Sequence, residues 1–244
     1  MTAPWFMAPP ECWEGDTVRL DLDESHHAVD VLKVAAPDVI TVTDGAGRVA
    51  RCAVREVVQG QVAADILQVD RHRTLTPEIA VYQGVAKGRK LDETVEKLGE
   101  MGAAAFWAYS STRTVAEWDK QKIAKVTNRW RSIARAGAKQ ARSPWAMQIG
   151  GVLSWTEVVR NLAKEDYAVV LWEDASLPLR TALVEGAKRI ALVVGPEGGL
   201  ERSEAEALAD TGAQLVSLGP RIFRTEDASV VATASLLYHY GLIG

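Results

Sequence analysis

The strongest constraint on the fold is a series of short apolar runs that alternate with helical periodicity from about residue 79 to the C-terminus. The runs at 79–83, 168–172 and 190–194 are almost entirely apolar, which is typical of strands buried on both faces. Strands that alternate with helices form a parallel sheet with helices on both sides. We therefore predict an α/β domain over this part of the chain. Further strands are predicted at 106–110 and 214–218, and helices at 91–101, 120–139, 201–211 and 228–240.

The first 70 residues predict a different architecture. Residues 39–43 and 49–54 alternate in polarity, and Asp44-Gly45-Ala46-Gly47 between them is a hairpin signal. Residues 57–69 predict one or two more strands, and short strands at this spacing are typical of a small β-barrel. The segment at 71–77 is polar and ends in proline, which is typical of a linker. We therefore predict two domains, 1–72 and 76–244.

Composition favours a globular protein of the cytoplasm. Apolar residues make up 48% of the chain. No apolar run approaches the roughly 18 residues of a membrane-spanning helix, and the first ten residues lack the pattern of a secretory signal. Cys12 and Cys52 are far apart, so we predict two free thiols in a reducing compartment. No His, Cys, Asp or Glu cluster has metal-ligand spacing, so we predict no metal.

One helix carries a concentrated positive charge, although the net charge of the chain is −4. Residues 120–142 contain eight basic residues and no acidic one, which leaves 20 basic and 32 acidic residues elsewhere. Ile123, Val126, Trp130 and Ile133 share one helical stripe and predict the buried face. A solvated polar face is the simplest interpretation of the opposite side. Such faces usually mix charges, however, and a uniformly positive one suits nucleic-acid phosphates.

Two predicted strands end at Gly-Pro turns. The strand at 190–194 leads into the glycine-rich segment Gly195-Pro-Glu-Gly-Gly199, and the strand at 214–218 leads into Leu218-Gly-Pro-Arg-Ile-Phe-Arg-Thr-Glu-Asp-Ala228. Ligands of open α/β sheets bind beyond the carboxyl ends of strands, although a plain strand-to-helix turn remains an alternative for the first segment. Neither segment matches the dinucleotide or triphosphate motifs. In the second, Thr225 or Asp227 is expected to cap the last helix, and two arginines are expected to hold an anionic or planar substrate.

These paired motifs resemble the RsmE family of small-subunit rRNA uridine-N3 methyltransferases, which belongs to the SPOUT superfamily. The similarity extends over nearly the whole chain. Weaker matches carry it outside the two turns. They are His27 with Val31-Leu32-Lys33, Asp44-Gly45-Ala46-Gly47, Lys87-Gly88 with Lys97-Leu-Gly-Glu-Met-Gly102, Ser111-Thr-Arg-Thr-Val115 and Ala138-Lys-Gln-Ala-Arg142.

The resemblance implies a fold, a reaction and a set of site residues. The fold is an N-terminal PUA-like β-barrel and a C-terminal trefoil-knotted α/β domain, assembled as a homodimer. The reaction is methylation of uridine N3 in 16S rRNA with S-adenosylmethionine as the methyl donor, with the small ribosomal subunit as partner. Arg224 and Glu226 are the implied catalytic residues. The implied cofactor site comprises Leu171, Glu173, Val194, Gly195, Pro196, Glu197, Gly198, Gly199, Leu218, Gly219, Ile222, Phe223, Thr225 and Ala228. The implied RNA contacts are Lys87, Arg89, Arg113, Arg135, Lys139, Arg142 and Arg221.

Several positions depart from the family pattern. Trp5-Phe6-Met7 lacks the arginine expected near the start, Met147 occupies an expected proline position, and Asp227 replaces a threonine. One alternative is therefore a SPOUT enzyme that methylates another base or a ribose. Another is a non-catalytic RNA-binding factor of ribosome assembly, and a third, disfavoured by the missing G-x-G-x-x-G motif, is a Rossmann-type oxidoreductase.

Overall fold

The computed structural model describes residues 3–114 and 118–244, and its chain divides into two compact units. One unit comprises Met1–Thr74 with Ala138–Ala146, and the other comprises Leu75–Gly137 with Met147–Gly244. The predicted boundary near residue 75 lies where the units divide. The short segment Ala138–Ala146 differs from the predicted domains, because it groups with the N-terminal unit. Val115, the last residue of the predicted 111–115 motif, lies outside the described residues.

The N-terminal unit contains a six-stranded sheet with the order β1-β4-β5-β6-β3-β2. β1 pairs with β4 in parallel and the other pairs are antiparallel. The predicted hairpin at 44–47 joins β4 to β5. β5 is longer than the predicted strand at 49–54, and the segment predicted at 57–69 is divided between the end of β5 and β6. The strands are β1 (Trp5–Met7), β2 (Trp13–Glu14), β3 (Thr17–Arg19), β4 (Val39–Thr43), β5 (Arg48–Val58) and β6 (Gln61–Arg71).

The expectation of strands throughout the first 70 residues is wrong for one segment. Residues of α1 (Leu22–His26) are helical, and a π-helical turn follows at His27–Val31. Asp21 explains the helix start, because its carboxylate accepts a hydrogen bond from the Glu24 N–H at 2.8 Å. The core of this unit is apolar and includes Phe6, Leu20 and Ile40.

The C-terminal unit contains a second six-stranded sheet, with the order β12-β10-β11-β7-β8-β9. All its pairs are parallel, as the alternating pattern predicts. The sequence pattern did not reveal β9, because this strand contains two consecutive glycines, and it also did not reveal the helix α4 (Trp155–Leu162). The strands are β7 (Glu78–Gly84), β8 (Ala105–Tyr109), β9 (Gln148–Leu153), β10 (Tyr167–Leu171), β11 (Arg189–Val194) and β12 (Gln214–Val216).

Both faces of this sheet are covered, since neighbouring residues of β7 belong to different apolar clusters. Ile79 and Val81 join the core that the helices α2 (Lys90–Met101) and α6 (Thr225–His239) cover. Ala80 and Tyr82 join the core beneath α4 and α5 (Arg202–Ala209). No helix among the described residues has the length and apolarity to cross a membrane. The long basic helix is α3 (Lys120–Gln140).

Candidate active site

The carboxyl ends of four strands meet at one edge of the parallel sheet. Leu171 at the end of β10 is paired with Val194 on one side and Val216 on the other. Val194 is paired in turn with Gln83 near the end of β7. The predicted cofactor residues Leu171 and Val194 therefore lie side by side at the edge where open α/β sheets bind ligands.

The first glycine-rich turn, residues 195–199, packs tightly against the end of β7. A Cβ atom added to Gly84 would lie 2.2 Å from the Pro196 nitrogen and 2.7 Å from the Gly195 carbonyl carbon. Only glycine permits this approach of two backbones. Gly195 and Pro196 are buried, whereas Glu197 and Gly198 are exposed. The 195–199 loop thus has a fixed base and an accessible outer part.

A buried polar network connects the base of this loop to β7 and α6. The Gln83 amide donates to the Gly195 carbonyl at 3.2 Å and to the Thr225 hydroxyl at 2.6 Å, and it accepts from the Ser229 hydroxyl. Thr225 itself donates to the Gly195 carbonyl. Because buried polar groups without partners are costly, this network favours one arrangement of the loop. Tyr109 adds a bond from its hydroxyl to the Val194 carbonyl at 2.9 Å, and burial raises the pKa of this phenol.

Two cations hold the outer part of the 195–199 loop. Lys90, the first residue of α2, pairs with the Glu197 carboxylate and lies 3.5 Å from Oε1 of Glu226. The Lys90 hydrogen bond lowers the pKa of Glu197, and the same bond raises the pKa of Lys90. Arg113 donates from Nη1 to the Gly198 carbonyl at 2.9 Å. The predicted RNA contact Arg113 is therefore engaged with the loop itself.

The neighbouring predicted residues complete the same edge. A Cβ added to Gly199 would lie 3.4 Å from Oε1 of Glu173, so the segment after β10 faces the 195–199 loop. Ser217 exchanges backbone hydrogen bonds with Leu177 and Leu179, which places Leu218 beside that segment. Ala228, in the first turn of α6, belongs to the core beneath this edge.

The second Gly-Pro turn, at residues 219–224, differs from the first. Residues 219–224 are all exposed, and the side chain of Ile222 retains 94% of its accessible surface. Gly219 has a φ of +106°, and a Cβ added there would meet no atom within 4 Å. Arg221 and Arg224 form no ion pair with any residue of the described ranges. The structure thus presents the predicted residues Gly219, Arg221, Ile222, Phe223 and Arg224 on one open loop.

The start of α6 corrects one expectation. Arg224, rather than Thr225 or Asp227, occupies the N-cap position, and no side chain caps this end. The Thr225 hydroxyl instead belongs to the Gln83 network. Glu226 follows in the first helical turn, where the helix dipole favours its negative charge. Its Oε2 is buried and has no hydrogen-bond partner among the described residues.

The predicted RNA contacts differ in how accessible they are to a ligand. Lys87, Arg89 and Arg142 are exposed, and Arg135 is half-buried. Lys139 is a correction, because its ammonium pairs with the Glu24 carboxylate inside the N-terminal unit and is only 24% exposed. Breaking such a pair leaves a buried charge, so the Lys139 ammonium is held by Glu24 and is not available to a phosphate. On α3, Val126 and Trp130 are buried as predicted, and Lys120, Lys122, Lys125, Arg129 and Arg131 are exposed.

Sequence reasoning missed Gln83 and Tyr109, and it interpreted Lys90 as part of a phosphate contact or a polar loop instead of as a partner of Glu197. The first had a detectable signal, because a glutamine inside the apolar run 79–83 needs a buried partner. The partners of Lys90 come from segments more than 100 residues away, and no spacing rule connects them.

Comparisons with known proteins identify the relatives of this chain. The model of an RNA methyltransferase domain family matches residues 74–237. Ribosomal RNA small subunit methyltransferase E of Mycobacterium tuberculosis is 34% identical over 226 residues, which cover 91% of this chain and 86% of that protein. The protein of that name from Bacillus subtilis is 29% identical over 238 residues, covering 94% and 93%.

Solved structures that match the fold of this chain are also methyltransferases. Ribosomal RNA small subunit methyltransferase E from Neisseria gonorrhoeae, bound to S-adenosyl methionine, matches with a TM-score of 0.87 at 26% identity and covers 98% of both chains. A methyltransferase structure from Legionella pneumophila with the bound cofactor SAM matches with a TM-score of 0.88 at 25% identity, again over 98% of each chain. The α/β methyltransferase fold and the resemblance drawn from the two turns are thus confirmed: this chain belongs to the RNA methyltransferase family that includes ribosomal RNA small subunit methyltransferase E.

Proposed function

We propose that this protein transfers the methyl group of S-adenosylmethionine to N3 of a uridine in 16S ribosomal RNA. The observation that carries the proposal is the 34% identity to a small-subunit rRNA methyltransferase over nearly the whole chain. The edge formed by the ends of β7, β10, β11 and β12 supports it, because the residues expected to bind the cofactor meet there.

The residues at this edge fit S-adenosylmethionine. An adenine ring needs apolar walls and a few backbone donors and acceptors. Leu171, Leu218 and Ala228 supply apolar surface, and the backbone N–H groups of Ile222 and Phe223 donate to no other group within the described ranges. The carboxylates of Glu173, Glu197 and Glu226 would favour the positive sulfonium. The remaining proposed cofactor residues are Val194, Gly195, Pro196, Gly198, Gly199, Gly219 and Thr225.

The proposed chemistry needs a proton acceptor and a stabiliser of negative charge. When bound, S-adenosylmethionine supplies a methyl group activated by its sulfonium. Uracil N3 carries a weakly acidic proton between two carbonyl groups, and removing it places negative charge on their oxygens. Arg224, exposed and unpaired with any described residue, would stabilise that charge. Glu226 would accept the proton, since its Oε2 has no hydrogen-bond donor among the described residues.

A cationic face of α3 supplies the proposed RNA surface. Lys120, Lys122, Lys125, Arg129 and Arg131 are exposed, and no acidic residue interrupts this stretch. Arg129 pairs with Asp92 at 2.8 Å, which leaves the other four cations for phosphates. Lys87, Arg89, Arg135, Arg142 and Arg221 are proposed as further contacts.

Charge reversal on α3 tests this surface. Lys125→Glu together with Arg131→Glu should weaken binding to small ribosomal subunits and flatten its salt dependence by about one power of the salt concentration for each phosphate that the helix no longer binds. Filter binding over a salt series measures both quantities. Lys164→Glu, an exposed position on the other side of the sheet from α3, is the control. An unaltered affinity and salt slope in the double variant would remove α3 from the RNA surface.

The finer features of the fold are part of the proposal. We propose a PUA-like barrel at 1–72 and a trefoil-knotted SPOUT domain at 76–244. The packing of α6 supports the knot, because the chain leaves β12 at the edge of the sheet and α6 then packs against α2, β7 and β11 near its centre. A homodimer, a location in the cytoplasm and action on an assembled or nearly assembled small subunit complete the proposal.

The decisive test of function is a product analysis. Purified protein is incubated with labelled S-adenosylmethionine and unmodified small ribosomal subunits, and the digested RNA is examined by mass spectrometry. Label in 3-methyluridine is the expected result. Label in another nucleoside would mean that the protein is a methyltransferase with a different target. Absence of both transfer and cofactor binding would overturn the enzymatic function and leave a non-catalytic RNA-binding factor.

A further inference from the structure

The 195–199 loop is held from two sides by cations that belong to different elements. Lys90 reaches it from the start of α2, and Arg113 reaches it from the segment after β8. We propose that Lys90 and Arg113 are positioning residues that fix this loop in its cofactor-binding conformation before the cofactor arrives. The inference rests on the proposed function, and it gives Arg113 a different role from the RNA contact that the family resemblance implies.

The contacts on each side engage the outer part of the loop. Lys90 pairs with Glu197, the central residue, and also approaches Oε1 of Glu226 at 3.5 Å. Arg113 donates to the Gly198 carbonyl at 2.9 Å, and its Nε lies 3.7 Å from Oε1 of Glu201 just beyond the loop. The guanidinium therefore spans the end of the loop and the residue that caps α5. Each cation thus joins the loop to a second element.

The composition of the 195–199 loop explains why a clamp formed by Lys90 and Arg113 has a function. Three of its five residues are glycine, and glycine loses more conformational freedom on ordering than any other residue. A ligand that must order a loop spends part of its binding free energy on that step, whereas a loop ordered in advance does not impose this cost. The buried base is fixed by Gln83 and by the Gly84 contact, but Glu197 and Gly198 are exposed. Lys90 and Arg113 contact this exposed part with their side chains, and the backbone of Lys87 adds a further interaction with Glu197.

The exposure of Lys90 and Arg113 indicates which property of the protein should change when either side chain is removed. The Lys90 side chain is 37% exposed and that of Arg113 is 44% exposed. Partly exposed ion pairs contribute little to overall stability. Their removal should therefore change the affinity for the cofactor more than the stability of the fold. An RNA phosphate contact would have the opposite signature, because it changes RNA affinity and salt dependence while cofactor affinity stays the same.

Calorimetric titration of S-adenosylmethionine in the absence of RNA tests the proposal. Lys90→Met and Arg113→Met should each weaken cofactor binding about tenfold, the equivalent of removing one charge-assisted hydrogen bond. Affinity for small ribosomal subunits at one fixed salt concentration should be unchanged. Lys164→Met, which removes an exposed lysine at the end of α4, is the matched control and should leave both affinities unaltered.

Two further sets of variants distinguish a positioning role from a general loss of folding. Lys90→Arg and Arg113→Lys retain the charges and should recover most of the cofactor affinity, even if the methionine variants fold poorly. If Lys90 acts through Glu197, the losses of cofactor affinity in Lys90→Met and Glu197→Gln should be non-additive in a double-variant cycle, because the Lys90→Met/Glu197→Gln protein loses the shared contact only once. In turnover assays the defect should be seen in KM for S-adenosylmethionine and not in KM for the subunits.

The outcomes separate this inference from the proposed function. Unchanged cofactor affinity in both methionine variants, with normal binding by the wild-type protein, would overturn the clamp and leave the methyltransferase intact. Weakened RNA binding by Arg113→Met with normal cofactor affinity would restore Arg113 to the RNA surface and also overturn the clamp. Failure of the wild-type protein to bind S-adenosylmethionine would overturn the proposed function, and the clamp with it.

Discussion

The two Gly-Pro loops follow strands of the same sheet, yet they are built in opposite ways. The 195–199 loop has a buried base, a glutamine network beneath it and a cation on each side. The 219–224 loop is exposed along its whole length, and neither of its arginines forms an ion pair in the described part of the chain. The first loop is thus held in place by side chains of the protein itself. The second loop presents hydrogen-bond donors and positive charges to the solvent.

This difference suggests a division of roles. A site that binds a cofactor with little reorganisation benefits from a preformed loop, because ordering does not reduce the binding free energy. A segment that contacts a large and variable substrate such as RNA benefits from groups that are free before binding. We expect changes in the 195–199 loop and its supports to affect stability and cofactor affinity. Changes at Arg224 in the 219–224 loop should affect turnover, and changes at Ile222 or Phe223 should weaken cofactor binding with little loss of stability.

The largest effect on stability is expected for Gly84→Ala. The added methyl group would overlap the Pro196 nitrogen and the Gly195 carbonyl carbon, which belong to the backbone and have little room to move. We expect the free energy of unfolding to fall by about 3 kcal/mol. Urea denaturation measures it, and Gly99→Ala in α2, where the nearest atoms lie at an ordinary 3.5 Å, is the control. Equal stability of Gly84→Ala and the wild-type protein would mean that the loop base is not tightly fixed.

Arg224→Ala should produce the largest decrease in turnover without a decrease in stability. Removing one group that stabilises developing negative charge typically lowers kcat about 100-fold. The melting temperature should not change, because the Arg224 side chain is exposed and forms no ion pair within the described ranges. Arg221→Ala, three residues earlier on the same loop, should weaken RNA binding and retain kcat. Full turnover by Arg224→Ala at saturating RNA would exclude Arg224 from catalysis.

The smallest effect is expected for Gly219→Ala. The φ of +106° is unfavourable for alanine, but no atom lies within 4 Å of the added Cβ. We expect the free energy of unfolding to fall by about 1 kcal/mol, owing to backbone strain alone. A thermal melt beside that of Gly84→Ala measures the contrast between the two loops. A decrease as large as that of Gly84→Ala would show that the 219–224 loop is also packed.

The parts of the fold that could be predicted from the sequence are those with local signals. The apolar strands β7, β8, β10 and β11 and the hairpin after β4 follow from runs and turn residues. The strand β9 was missed because consecutive glycines at 150 and 151 interrupt its pattern. The helical segment that begins at Leu22 was missed because its start depends on one capping aspartate and its length is short.

The site was predictable to a similar extent. The two Gly-Pro turns identified most of the strand-end edge, since strand order brings such turns together. The partners of Lys139 and Arg113 were not predictable, because a basic residue looks the same in sequence whether it faces solvent or an acidic side chain. Lys139 illustrates the difference, since Glu24 lies 115 residues away in sequence.

Hydrogen–deuterium exchange with and without S-adenosylmethionine tests the contrast between the loops most directly. In the free protein, the amides of Gly199 and Leu200 should exchange slowly, since Gly199 donates to the Pro196 carbonyl at 2.9 Å and Leu200 is buried. The amides of Arg221, Ile222 and Phe223 should exchange rapidly. The cofactor should slow exchange in the 219–224 loop and leave the 195–199 loop nearly unchanged. Rapid exchange at Gly199 and Leu200 in the free protein, followed by protection of both loops together, would contradict a preformed first loop.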